Sequence, residues 1–192
     1  VYVEHSFGFA QIFGNPITNF ENNLKDYLLI KKNFKSPKVR LYGSYVPNFL
    51  KMKEHSSMVS FRQRFIIKKL KDGLEEEKLF GKNGHFYFST INKVNFKEAE
   101  KLYGKLTRFW PTENDFINFS NSVVLYFKNQ LIGICYSAGE ANGQVEIDVY
   151  IQPQFRSKGL GKYLVSKFIK KCQKKSLNPL WDCFINNLES VK

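Results

Sequence analysis

Three consecutive apolar runs dominate the middle of the chain: VVLYF (Val123 to Phe127), QLIGICYSAG (Gln130 to Gly139) and QVEIDVYIQ (Gln144 to Gln152). Lys128-Asn129 and Asn142-Gly143 separate them, and both are tight-turn pairs, so the runs predict an antiparallel meander. The period then changes. Leu164, Val165, Phe168, Ile169 and Cys172 recur at helical spacing, with Lys162, Lys167, Lys170, Lys171, Lys174 and Lys175 on the opposite, solvated face. Upstream of the meander, HFYFSTI reads as a strand. Asn95, with Glu98 three positions on, reads as a capping box opening a helix whose inner face is Ala99, Leu102, Tyr103, Leu106 and Phe109. Pro111 and Thr112 open a second helix, capped with Asp115, with Phe116 and Phe119 turned inward. After the long helix, Asn178-Pro179 predicts a turn and Leu180 to Ile185 a short strand.

The first half carries weaker periodicity. FGFAQIFG suggests a strand, and ITNFENNLKDYLL places Phe20, Leu24, Tyr27 and Leu28 at near-helical spacing. VRLYGSY and SMVSFRQRFIIKKL read as strands, with PNFLKMKEH between them as a short helix or loop. The charged, Gly-containing segment Lys71 to Gly84 is the linker candidate. Residues 1–84 are therefore expected to form a smaller α/β domain and residues 85–192 a second domain.

Composition limits the function classes. The 192 residues are 43% hydrophobic and 16% aromatic, enough for a packed core. No apolar run approaches the ~18 residues of a membrane span, and the first residues lack the basic region of a signal peptide, so a cytoplasmic protein without a membrane partner is expected. Cys135, Cys172 and Cys183 lack metal-ligand spacing, and His5, His55 and His85 stand apart from them, so buried free thiols and no metal are expected. The net charge of +13 invites a nucleic-acid reading. Against it, the basic residues are overwhelmingly lysine and no helix-turn-helix, zinc-finger or RNA-binding pattern is present, so nucleic acid is not the expected partner. The chain opens without Met and stops at Val191-Lys192, where a further helix is expected, which is read as a fragment or as a chain trimmed at its ends.

The chemistry sits between the third meander strand and the long helix, in QPQFRSKGLGKYL. Two glycines one residue apart at a helix start remove Cβ atoms where backbone amides could approach a phosphate, and the helix end adds about half a positive charge. A Walker loop is excluded because Arg156 occupies the first glycine position and Tyr163 follows Lys162. A dinucleotide fingerprint is excluded because Leu164 stands at the third glycine and an antiparallel meander precedes. Close packing of helix on strand is the competing structural reading of Gly159 and Gly161.

The remaining pattern, Ile151-x-Pro153 followed by Arg156-x-x-Gly159-x-Gly161, resembles the cofactor loop of the GNAT acetyltransferase superfamily. FWPTENDF, EIDVYIQPQFRSKGLGKYL and NPLWDCFINNLES, in that order, resemble a two-part group of that superfamily with a P-x-W-D-C-x-x-x-N-x-x-S segment. The resemblance implies an α/β (α+β) fold: a mixed, mainly antiparallel sheet flanked by helices, beside the N-terminal unit. It further implies acetyl-CoA as co-substrate, with the backbone of Arg156, Ser157, Lys158, Gly159, Leu160, Gly161 and Lys162 at the pyrophosphate. Val149, Tyr150 and Ile151 would meet the pantetheine arm through their backbones as strand 180–185 splays from strand 145–151, with Asn187 and Ser190 near the arm. A backbone N–H at Val149 or Ile151 would face the developing oxyanion, a role worth ~10²- to 10³-fold per donor in other enzymes.

The implied reaction is acetyl transfer to the amine of a small molecule, needing a base for the ammonium and an acid for the thiolate. Glu146 and Asp148 are the candidate bases, with Glu140 third. Many members place a tyrosine acid on the helix after the segment matched by Asn187 to Ser190, where this chain stops, leaving Tyr150 and Tyr136. That departure makes a catalytically inactive coenzyme A-binding protein the alternative. In strand alternation Glu146 and Asp148 also read as plain solvent-facing residues. Trp110, Trp181 and Tyr103 read as core aromatics and Cys183 as structural. Acceptor identity and oligomeric state are not encoded in any pattern found.

Overall fold

The computed structural model describes residues 1–5, 9–15, 17–31, 40–43, 45–54, 61–67 and 85–191, in two compact units, Val1–Phe61 and Arg62–Lys192. The first holds a three-stranded sheet of β1 (Tyr2–His5), β2 (Phe9–Ile12) and β3 (Arg40–Tyr42), with β1 antiparallel and β3 parallel to β2. Helix α1 (Thr18–Asp26) runs on into a π-helical turn, Tyr27–Lys31. Ile12, Leu24 and Phe49 form the buried centre of this unit.

The second unit is a six-stranded sheet in the order β4-β9-β8-β7-β6-β5. Its strands are β4 (Arg62–Ile66), β5 (Phe86–Ser89), β6 (Ser122–Phe127), β7 (Gln130–Ala141), β8 (Gln144–Ile151) and β9 (Asn178–Phe184). All pairings are antiparallel except β8 with β9. The expected mixed, mainly antiparallel sheet is therefore present. The units divide at Phe61/Arg62 rather than at 84/85, because Arg62 to Ile66 pair with Phe184 to Leu180 and so complete the second sheet. The linker reading of 71–84 lies outside the described residues.

The meander forms as its turns require. Lys128, Asn129, Asn142 and Gly143 all have positive φ, the geometry of the two-residue turns that match strand twist. Strand β7 is buried along most of its length because both faces are covered. On one face lies α4 (Leu160–Gln173), packing Leu164, Phe168, Ile169 and Cys172 onto Ile132, Cys135, Val145 and Ile147. On the other lie α2 (Phe96–Tyr103), α3 (Glu113–Phe119) and the 3₁₀ turn Leu106–Phe109, packing Phe96, Ala99, Leu106 and Phe116 onto Val124, Ile134 and Tyr136.

Several local expectations change. The helix predicted through Phe109 stops at Tyr103, where Gly104 takes φ 105°, and Leu106 reaches the core from the separate turn. Asn95 is not a capping box: its Oδ1 accepts from the Asn92 N–H, while the Asn92 Oδ1 accepts from the Asn95 N–H. Thr112 does cap α3, accepting from the Asp115 N–H, but Phe119 is 65% exposed while Phe116 is fully buried. Lys171 is half-buried rather than solvated, its Nζ donating to the Ser122 carbonyl. Asn178-Pro179 is the start of β9, not a turn before it. A one-turn helix, α5 (Leu188–Val191), follows. Among the described residues no helix is long and apolar enough to cross a membrane, and no group of three His, Cys, Asp or Glu could hold a metal.

Candidate active site

Strand β8 has two unequal edges. Against β7 its register runs from Gln144–Ala141 to Ile151–Gly133, whereas against β9 it stops at Glu146–Leu180. The β7 register slips between Ser137 and Gly139, leaving Ala138 as the extra residue opposite the Glu146–Ile147 step. A bulge bends its strand and increases local twist. This one lies where β8 parts from β9.

Backbone direction follows from one bond. Gln152 donates its N–H to the Ile132 carbonyl, so Tyr150 and Asp148, two and four residues back, also point theirs at β7. The N–H groups of Val149 and Ile151 face the parted edge. The expectation that Tyr150 offers its backbone there is corrected: it is committed to the ladder, and its ring instead stands beside Tyr103, with the Arg156 guanidinium 5.4 Å from its centre. The Ile151 carbonyl accepts from Arg156 Nε at 2.9 Å, which ties the loop to the strand.

The loop rises over a 3₁₀ turn, Pro153–Phe155, and turns back through Ser157 (φ 58°) and Gly159 (φ 76°) before α4 begins. The first helical bond is Tyr163 N–H to the Gly159 carbonyl. The N–H groups of Ser157, Lys158, Gly159, Leu160, Gly161 and Lys162 have no partner among the described residues. A helix start leaves such donors together at the positive end of its dipole. The close-packing reading of Gly161 does not account for that residue, since an added Cβ would meet only Ile151 Cγ1, at an ordinary 3.8 Å. Gly133 is the opposite case: a Cβ there would come within 2.5 Å of Ile151 Cδ1.

On the sheet face away from α4, alternation brings Glu146, Asp148 and Tyr150 together. Asp148 Oδ2 accepts from the hydroxyl of Tyr103 and, at 3.4 Å, from that of Tyr136. Desolvation, reinforced by the Asp148 hydrogen bond, pushes the Tyr103 hydroxyl up to about 12, and burial raises Tyr136 further. Both phenols stay protonated at neutral pH. Glu146 has an exposed side chain, but surrounding protein desolvates its carboxyl and raises its pKa. Asp182 adds to the rise, Arg62 and Arg64 oppose it, and Asp148 adds a smaller part. Glu140 lies further back and accepts from Asn121 Nδ2.

Asn187 is exposed, with its N–H on the Phe184 carbonyl. The Ser190 carbonyl accepts from the Trp181 indole at 2.8 Å and from Cys183 Sγ, so this segment is strapped back onto β9. The three cysteines are buried free thiols, and burial pushes Cys172 up to about 11, with Glu140 contributing, which removes it as a nucleophile. Tyr103 is the site residue that sequence reasoning put in the core. Its partner lies 45 positions away, and no local pattern marks it.

Known proteins resemble this chain in sequence and in fold. A 63-residue stretch is 30% identical to the uncharacterized N-acetyltransferase YdfB of Bacillus subtilis (strain 168), covering 33% of this chain and only 24% of that protein. A GCN5-related N-acetyltransferase-like protein from Streptococcus suis 89/1591 superposes with a TM-score of 0.59 over 95% of this chain and 71% of its own. At 15% identity that likeness shows the fold alone. AAC(6')-Iy in complex with the bisubstrate analog CoA-S-monomethyl-acetylneamine aligns with a TM-score of 0.44, 17% identity, 56% of this chain and 85% of that one. A family model described as GNAT acetyltransferase matches residues 5–192, and the chain belongs to that family.

Proposed function

We propose that this protein is an acetyl-CoA-dependent N-acetyltransferase acting on the amine of a small molecule. The observation that carries the reading is the parted edge of β8, which leads directly into six unpaired backbone N–H groups at the start of α4. The fit of coenzyme A rests on those donors and on Gly161, where space for a Cβ is left open. Ser157 to Lys162 would hold the pyrophosphate, and the backbones of Val149 and Ile151 the pantetheine arm. When bound, acetyl-CoA supplies an activated acetyl group and a thiol leaving group.

The chain's own residues divide the remaining work. Glu146 is the general base: its side chain is exposed, and its raised proton affinity suits removal of a proton from an ammonium. Asp148 is a positioning residue, because its Oδ2 is engaged by Tyr103 and Tyr136. The N–H of Val149 or Ile151 faces the edge where an oxyanion would develop. Tyr103 and Tyr136 keep their protons directed at Asp148. Buried free thiols suit a reducing, cytoplasmic setting.

Calorimetric titration with acetyl-CoA, on the chain and on Gly161→Ala, tests the reading. Binding that falls about 10- to 100-fold in the variant, the equivalent of roughly 1–3 kcal/mol of overpacking, with an unchanged melting temperature, supports it. Absent binding by the unmodified chain would sink it. Binding without product from any amine in a mass-spectrometric panel would favour an inactive coenzyme A-binding protein instead.

A further inference from the structure

Four charged side chains gather on the Asp148 face of the sheet where β8 and β9 separate. Register sets Glu146 opposite Leu180, Asp182 two residues further along β9, Arg64 opposite Asp182 and Arg62 opposite Phe184. Strand alternation then turns all four toward one face. The Asp182 side chain is only 11% exposed and accepts from Arg62 Nε at 2.9 Å and Arg64 Nη2 at 3.1 Å. Arg62 also donates to the Asp182 carbonyl at 2.8 Å and lies over the Phe184 ring. Its role is to bind β4 to β9.

Arg64 is held differently. Its guanidinium makes one hydrogen bond to described residues, and the side chain is 60% exposed. A guanidinium carries five N–H donors, so most of its capacity faces outward. A guanidinium fork matches carboxylate and phosphate geometry, and Arg64 stands two interstrand steps across and two residues along from Glu146, roughly 12 Å at the backbone, with its charge felt at the Glu146 carboxyl.

Resting on the acetyltransferase reading, we infer that Arg64 binds an anionic group, carboxylate or phosphate, carried by the acceptor a few bonds from its amine. The acceptor is then an amine-bearing acid, not a plain amine or polyamine. Glu146 takes the ammonium end and Arg64 the anionic end.

The test titrates the coenzyme A-saturated chain with 4-aminobutyrate, 3-aminopropyl phosphate, butylamine and spermidine. Initial rates with acetyl-CoA are followed in parallel. One or both acids should bind at least 10-fold tighter than butylamine, and which of them leads identifies carboxylate or phosphate. Arg64→Gln should abolish that preference with coenzyme A affinity and melting temperature unchanged, and Arg64→Lys should restore part of it. Butylamine or spermidine binding as tightly as the acids, or a preference that survives Arg64→Gln, would overturn the inference and leave the acetyltransferase reading intact. Failure of coenzyme A itself to bind would remove that reading and this inference with it.

Discussion

The two edges of β8 meet opposite fates. Toward β7 every residue from Gln144 to Ile151 has a registered partner, whereas toward β9 pairing ends at Glu146. The closed edge is made by short-range means, a two-residue turn with positive φ at Asn142 and Gly143 and apolar side chains that both layers bury. The open edge is made by long-range ones: a bulge at Ala138, and a β9 held by β4 through Arg62 and Asp182. One strand thus supplies a rigid ladder and a row of uncommitted donors. The candidate site lies along the pairing that is not made.

Variants at the two edges should separate chemistry from stability. The largest effect is expected from Glu146→Gln at the open edge, a loss of ~10²- to 10⁴-fold in kcat/KM, read as initial rates with an acceptor the chain turns over. The parent profile should climb as Glu146 deprotonates, above the ordinary carboxylate range because desolvation and Asp182 outweigh Arg62 and Arg64. A pH–rate profile of the variant that keeps the same acid limb would assign the base elsewhere.

At the closed edge, Gly133→Val forces a side chain into Ile151 and Leu164. Overpacking of that kind costs about 3 kcal/mol, or roughly 10 °C in melting temperature. Gly161→Ala, on the other side of Ile151, should leave melting within about 2 °C while weakening coenzyme A binding. Equal losses of stability in the two variants would collapse the distinction between a packing glycine and a ligand glycine.

Gly143→Ala places a Cβ at φ 71° in the turn that closes the ladder. A cost of about 1 kcal/mol follows, with faster amide exchange at the β7–β8 end and coenzyme A affinity preserved.

The smallest effect is again at Glu146. Its folded carboxyl holds a proton more tightly than the unfolded one, so the stability of the neutral form is present below the unfolded pKa and lost as pH rises through the folded pKa. Glu146→Gln should therefore melt about 1–2 °C higher at pH 7, and the gain should vanish near pH 4. A variant that melts lower at neutral pH would mean that Glu146 is a structural partner.

The elements legible beforehand share one property, that their determinants lie within a few residues. Lys128-Asn129 and Asn142-Gly143 announced the meander, the Leu164 to Cys172 spacing announced α4, and Arg156 to Gly161 announced the loop. The misreadings came where a competing partner, or the lack of a covering one, overrode the expected signal. Asn95 abandons its capping box for Asn92, and Phe119 follows helical spacing yet finds no layer to cover it. Arg62 to Ile66 read as part of the first domain but close the second sheet, because their ladder partner is more than a hundred residues downstream.

By itself, the sequence determined the glycine-containing loop and the strand and helix that flank it, since glycine conformation, turn chemistry and amphipathic period act over neighbouring residues. Only the tertiary structure decided that β8 loses β9 after Glu146, that Tyr103 and Tyr136 occupy Asp148 and leave Glu146 accessible, and that Arg64 stands across the opening. Those outcomes are set by the meeting of β4, β8, β9 and α2, and the free energy of such contacts depends on which segments touch, a property no local window contains.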